Sequence, residues 1–139
     1  MKTKYKATDI ATYLLSLEEM NAMKLNKLVG IAHADYLQIY KEPLLDEKIE
    51  AWKYGPIVVS VYRKYFRRGK EKLKQEENIS LPKFIKQFLS IVHDNYKEYN
   101  HLQLSTLTHS KGTPWHVAWK KIMNNPFTTS LKIPNKLYK

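Results

Sequence analysis

Apolar positions recur at helical spacing along most of the chain. Ile10, Leu14 and Leu17 follow Ala7-Thr8-Asp9, which offers capping residue types, and predict a first helix ending near Glu19. Leu25, Leu28, Val29, Ala32, Tyr36, Ile39 and Tyr40 obey the i, i+3, i+4, i+7 rule and fall within an arc of roughly 120° on a helical wheel. They predict a second helix over 24–41 that stops before Pro43. The period then changes. Ile49, Ala51 and Lys53 alternate with Glu50, Trp52 and Tyr54, as in extended chain. Gly55-Pro56 ends this segment. Pro56 suits the first turn of a third helix over 56–68, where a missing N–H costs nothing. Val58, Val61, Tyr62, Tyr65 and Phe66 form its stripe, and Gly69 is placed to stop it.

Ser80 and Pro82 open a fourth helix reaching about Asn100, with Phe84, Ile85, Phe88, Leu89, Ile91, Val92, Tyr96 and Tyr99 turned inward. The polar stretch before it, 67–78, reads as an inter-element loop or a frayed helix end. Leu102, Leu104 and Leu107 predict a short fifth helix. Thr113-Pro114 opens a sixth, with Trp115, Ala118, Trp119 and Ile122 on one side. After Asn124-Asn125-Pro126 the helical period is lost. Residues 130–133 read as a short strand whose natural partner is 49–54. The fold class is therefore mainly α: a compact single domain over 1–139, with five to six helices and a small β element of one or two short strands.

A chain of 139 residues fits one domain. At that size it buries about two thirds of its unfolded surface, so it needs neither disulfide nor metal to hold a core. There is no cysteine, which excludes thiolate chemistry and fits a cytoplasmic protein. The basic start is followed by an apolar stretch broken by Asp9, Glu18 and Glu19. Neither a signal-peptide core nor a membrane span is legible, so no membrane partner is expected.

Lys and Arg number 24 against 13 Asp and Glu, a net charge of +11. Such a field attracts nucleic acid, an acidic protein face or anionic lipid. A lysine-rich solubilising surface explains it equally well. The densest basic run starts with Arg63, Lys64, Arg67 and Arg68 on the outer face and border of the third helix, and continues through Lys70, Lys72 and Lys74. It is a candidate partner or polyanion surface. Tyr62 and Tyr65 beside it fall on the core stripe, where they would not stack on bases.

Catalytic patterns are missing. There is no G-x-S-x-G elbow and no G-x-x-x-x-G-K-[ST] loop. His109 and His116 lack the i, i+4 spacing of a helical zinc pair. His33 reads as a residue at the border of the core. Asp46, Glu47 and Glu50 read as a solvated acidic turn, not a facing pair. The expectation is a binding protein, not an enzyme, with no cofactor and no metal.

Two passages are more specific. The first runs from Met23-Lys24-Leu25-Asn26-Lys27-Leu28 to Ala51-Trp52-Lys53-Tyr54-Gly55-Pro56 and Tyr62. The second runs from Leu104-Ser105 through Thr108-His109 to Pro114-Trp115. Together they resemble the Panacea domain, the SocA-like antitoxin family, also described as phage-associated GepA-like proteins. The residues carrying the likeness are Lys24, Leu25, Lys27, Leu28, Ala51, Trp52, Tyr54, Gly55, Pro56, Thr108, His109 and Trp115. Asn26 and Val29-Gly30-Ile31 depart from the family pattern, and a helical Gly30 costs about 1 kcal/mol relative to alanine.

The resemblance implies a helical fold with a little strand, and a phage-associated antitoxin that neutralises a cognate protein toxin. A nucleic-acid-binding regulator and an adaptor delivering a toxin to a protease remain alternatives. The motif residues have two readings. They build a scaffold, with Trp52, Trp115 and Trp119 in one aromatic core and Thr108 and His109 bonded to the Gly55-Pro56 turn, or they touch the partner.

Overall fold

The computed structural model describes residues 4–53, 55–110, 112–123 and 131–138. Tyr54, Ser130 and the side chain of Ile122 lie outside the described residues. Six α-helices appear among those residues: α1 (Ala7–Leu17), α2 (Ala22–Tyr40), α3 (Val59–Tyr65), α4 (Lys83–Tyr96), α5 (His101–Thr108) and α6 (Pro114–Met123). Three short strands, β1 (Glu50–Trp52), β2 (Gly55–Ile57) and β3 (Leu131–Lys132), form an antiparallel sheet of order β2-β1-β3. The protein is mainly α, as its periodicity predicts. The strand expected near 130–133 does pair with β1: Ala51 lies opposite Leu131 on one side and Pro56 on the other.

The helix α2 is the axis of the molecule. It packs against α1, α3, α4, α5 and β2. The Asn21 side chain caps its start by accepting the Lys24 N–H at 2.9 Å, and Lys41 ends it at φ 58°. Leu25, Leu28, Val29 and Ala32 are fully buried, each large side chain contributing about 1.5–3 kcal/mol of apolar transfer energy before entropy is subtracted. Burial does not stop at this stripe. Asn26, Lys27 and His33 are buried too, because neighbours surround the helix. Ile39, expected inside, is exposed near the helix end.

Three boundaries differ from the sequence expectation. Pro56 lies in β2 and not in a helix, so α3 starts at Val59. As an edge strand, β2 accommodates a residue without an N–H. After Tyr65 the chain tightens into a 3₁₀ turn over Phe66–Arg68. The helix α4 ends at Tyr96, and Phe84, Ile91 and Tyr99 are exposed. Ile85, Phe88, Leu89 and Val92 share one face of α4, whereas Phe84 and Ile91 sit about 90–110° away from its centre.

Segments without helical period are pinned by backbone pairing. Tyr5 bridges Leu44 and Asp46 with hydrogen bonds of 2.9 Å each. Leu73, inside the polar stretch, is fully buried and exchanges both backbone bonds with Met20, at 3.1 and 2.8 Å. The tail returns through Ile133, whose N–H meets the Ile49 carbonyl at 2.6 Å. No helix among the described residues is long and apolar enough to cross a membrane.

Candidate functional site

The motif residues converge on the β1–β2 hairpin. Two consecutive residues of α2 hold it from below. The Asn26 amide donates to the Val58 carbonyl and accepts the Val58 N–H, both at 3.0 Å. It satisfies the N–H of a residue between strand and helix, and shares the carbonyl with the Tyr62 N–H that opens α3 at 3.0 Å. Lys27 reaches the Pro56 carbonyl with its ammonium at 2.9 Å. Only 2% of Lys27 is exposed, and burial pushes its pKa down to about 8. Lys27 takes part in no ion pair among the described residues.

Gly55 is required where it stands. Its φ of +132° is rare for side chains with a Cβ, and a Cβ there would lie 2.9 Å from the Lys27 Nζ and 3.5 Å from the His109 Cβ. From the other side, the Trp115 indole N–H donates to the Trp52 carbonyl at 2.5 Å. Trp115 stacks on Trp119 with ring centroids 5.8 Å apart and meets His109 edge-on at 5.4 Å. The hairpin is thus gripped between α2 and the α5–α6 corner.

This corrects the expected triple-tryptophan core. Trp52 gives its carbonyl to that corner, while its ring turns outward to Tyr62, 4.9 Å away. Nor, among the described residues, do Thr108 and His109 hydrogen-bond the turn. The Thr108 hydroxyl donates back to Leu104 and Ser105 within α5, and His109 Nδ1 lies 3.2 Å from the Ser105 hydroxyl while its Cβ sits where a side chain at Gly55 would meet it. Leu25, Leu28 and Ala51 are core. Lys24 joins α1 to α4, pairing with Glu18 at 3.0 Å and donating to the Lys97 carbonyl at 2.9 Å. His93 lies 2.8 Å from the same Glu18 carboxylate.

The polar groups singled out from the sequence turn out to have structural work. His33 is fully buried, not a border residue. Its Nδ1 accepts the Leu45 N–H at 3.3 Å, which leaves the proton on Nε2 to face Asn135 Oδ1 at 3.1 Å. Burial lowers its pKa, against the Asn135 hydrogen bond. Glu47 accepts from the Ser60 N–H at 3.3 Å and from the Ser60 hydroxyl, anchoring the first turn of α3. Glu50 accepts from the Trp52 indole at 3.0 Å. His116 Nδ1 accepts from the Gly112 N–H at 3.1 Å. No group of three potential metal ligands occurs among the described residues.

The basic run is partly neutralised. Lys64 pairs with Glu77 at 2.5 Å, and Arg68 pairs with both Glu71 and Glu76. Arg63 and Arg67 make no ion pair among the described residues, and the Arg67 guanidinium lies 5.6 Å from the Phe66 ring centre. Beside this run stands a ladder missed in the sequence, because a helical stripe reads as core. Trp52 meets Tyr62 edge-on, and Tyr62 stacks on Phe66 at 5.4 Å with planes 12° apart. Phe66 is 47% exposed and Met23 40%. Clefts of about 220 and 260 Å³ flank this ladder and share Met23 and Tyr62.

The family profile described as Antitoxin SocA-like, Panacea domain, matches residues 25–116. Among curated proteins, the chain is similar to Antitoxin SocA of Caulobacter vibrioides (strain NA1000 / CB15N), with 29% identity over 136 residues, covering 84% of this chain and 69% of that protein. No solved structure matches.

Proposed function

Since the chain belongs to the SocA-like antitoxin, Panacea-domain family, we propose that it neutralises a cognate protein toxin by direct protein–protein binding, in the cytoplasm and without catalysing a reaction. The whole chain acts as one domain, and the toxin is encoded beside it, in a phage or prophage setting. The observation that carries this reading is the division of labour around the hairpin. Lys27, Gly55, Pro56, His109 and Trp115 are spent on fixing the hairpin to α2 and α6. The outer face keeps a ladder of aromatic rings beside an exposed methionine, the residue types that dominate protein interfaces. A nucleic-acid role draws less support, because Lys64 and Arg68 already hold carboxylates.

The test is co-expression with the product of the adjacent gene. Growth is expected to be rescued, and the two proteins to co-purify. Absence of both rescue and complex overturns the reading. Toxin half-life separates neutralisation from delivery to a protease: neutralisation leaves it unchanged, and delivery shortens it.

A further inference from the structure

We propose that the cleft between the start of α2 and the Trp52–Tyr62–Phe66 ladder is the toxin-docking face, and that it takes a segment presenting an apolar side chain flanked by carboxylates. The proposal rests on the antitoxin reading and adds the surface and the chemistry of its partner.

Geometry supplies the apolar half. Met23 stands on the first turn of α2, at the junction of three depressions. Two lie along the ladder, and a third of about 440 Å³ runs toward Leu102 on α5. Met23, Phe66 and Leu102 are all exposed. Trp52 and Tyr62 are half-buried and braced: Trp52 is tied by its indole to Glu50, and Tyr62 is held between the edge-on Trp52 and the stacked Phe66. Rings held this way lose little further freedom on binding, which favours them as anchors.

Charge supplies the other half. Lys70 lines one ladder cleft, and Lys27 and Lys53 line the other. No carboxylate lines either one among the described residues. Arg67 lies against Phe66 at the same edge. The Lys27 ammonium has the Pro56 carbonyl as partner but no counter-ion among the described residues. A buried cation in that state gains most from an arriving carboxylate, because a partner seated in the cleft would displace the water that screens the pair. A neutral apolar peptide would leave this charge uncompensated, and a basic one would be repelled by the lysines.

The experiment measures affinity for the adjacent-gene toxin by calorimetry, using full-length variants. Phe66→Glu is expected to weaken binding about 30-fold or more, since it removes an anchor and repels carboxylates. Lys70→Glu, a fully surface change, is expected to weaken it about tenfold. Ile91→Ala, exposed on α4 and outside the cleft, is expected to change it less than about twofold. Each variant is checked for an unchanged unfolding midpoint. If Phe66→Glu perturbs folding, Lys70→Glu decides alone. Wild-type affinity in Lys70→Glu, or in a folded Phe66→Glu, overturns the docking face and leaves the antitoxin reading standing. A wild-type protein that does not bind the toxin overturns both. A dimer that Phe66→Glu dissociates without loss of toxin affinity assigns the face to a second copy of this chain, and also overturns the proposal.

Discussion

Truncating Asn26 to alanine would strip the Val58 N–H of its partner, while the Val58 carbonyl keeps the Tyr62 N–H at 3.0 Å. The site is buried, so the Val58 N–H would stay dry and unpaired. An orphaned buried group costs about 1–3 kcal/mol, so Asn26→Ala is expected to lose about that much. The measurement is a urea midpoint lowered at constant slope. The adjacent Lys27 makes a pH prediction. Its folded pKa of about 8 lies below the ordinary value of 10.5. Below about pH 8 both states hold the proton, and the fold carries the whole cost of burying the charge. Between about 8 and 10.5 the unfolded chain keeps a proton that the folded chain has released, so stability rises with pH, by roughly 3 kcal/mol at most. Urea midpoints at pH 7 and 10 should therefore diverge between wild type and Lys27→Met, with the wild type gaining. Parallel pH profiles would refute the assignment.

At the level of elements, two glycines have opposite expected signs. Gly30 sits inside α2, where a Cβ would meet Ile49 and Val58 at 3.7 and 3.9 Å, ordinary contact distances. Gly30→Ala is expected to stabilise by about 0.5–1 kcal/mol through helix propensity. Gly55→Ala, with positive φ and the Lys27 ammonium in the way, is expected to destabilise by about 1–3 kcal/mol. Thermal unfolding of both variants checks the pair.

The same elements show what the sequence made legible. The six helices follow from helical period, although the expected cap at Ala7-Thr8-Asp9 lies inside α1, which starts after Lys6, and the pairing of Leu131–Lys132 with β1 follows from the extended patterning. The start of α3 does not, because Pro56 fits an edge strand as readily as a first helical turn, and only the register with Ala51 decides. On a wheel Asn26 and Lys27 fall outside the apolar arc and His33 at its border. Their burial becomes visible only once five neighbouring elements enclose α2 and each polar group has a partner. For the site, the motif located the hairpin. It did not reveal the ladder, since Phe66 on the apolar stripe is carried into solvent when α3 tightens after Tyr65.

Over the whole molecule, a net charge of +11 acts at distances no single contact reaches. On the proposed reading, scattered lysines would steer an acidic partner during encounter, whereas the ladder would act only once surfaces touch. The two contributions should therefore separate kinetically. Raising monovalent salt from about 0.05 to 0.3 M shortens the screening length from roughly 14 to 6 Å, below the span of the protein surface. The association rate with the toxin is expected to fall about tenfold, while the dissociation rate moves less than about twofold, because a carboxylate seated beside buried Lys27 is screened little. Phe66→Ala should do the reverse, raising the dissociation rate while leaving the salt slope of association intact, since it removes contact and no charge. Stopped-flow association and dissociation across that salt range measures both. A salt effect confined to dissociation would mean that the charge excess does not steer the partner and serves solubility instead.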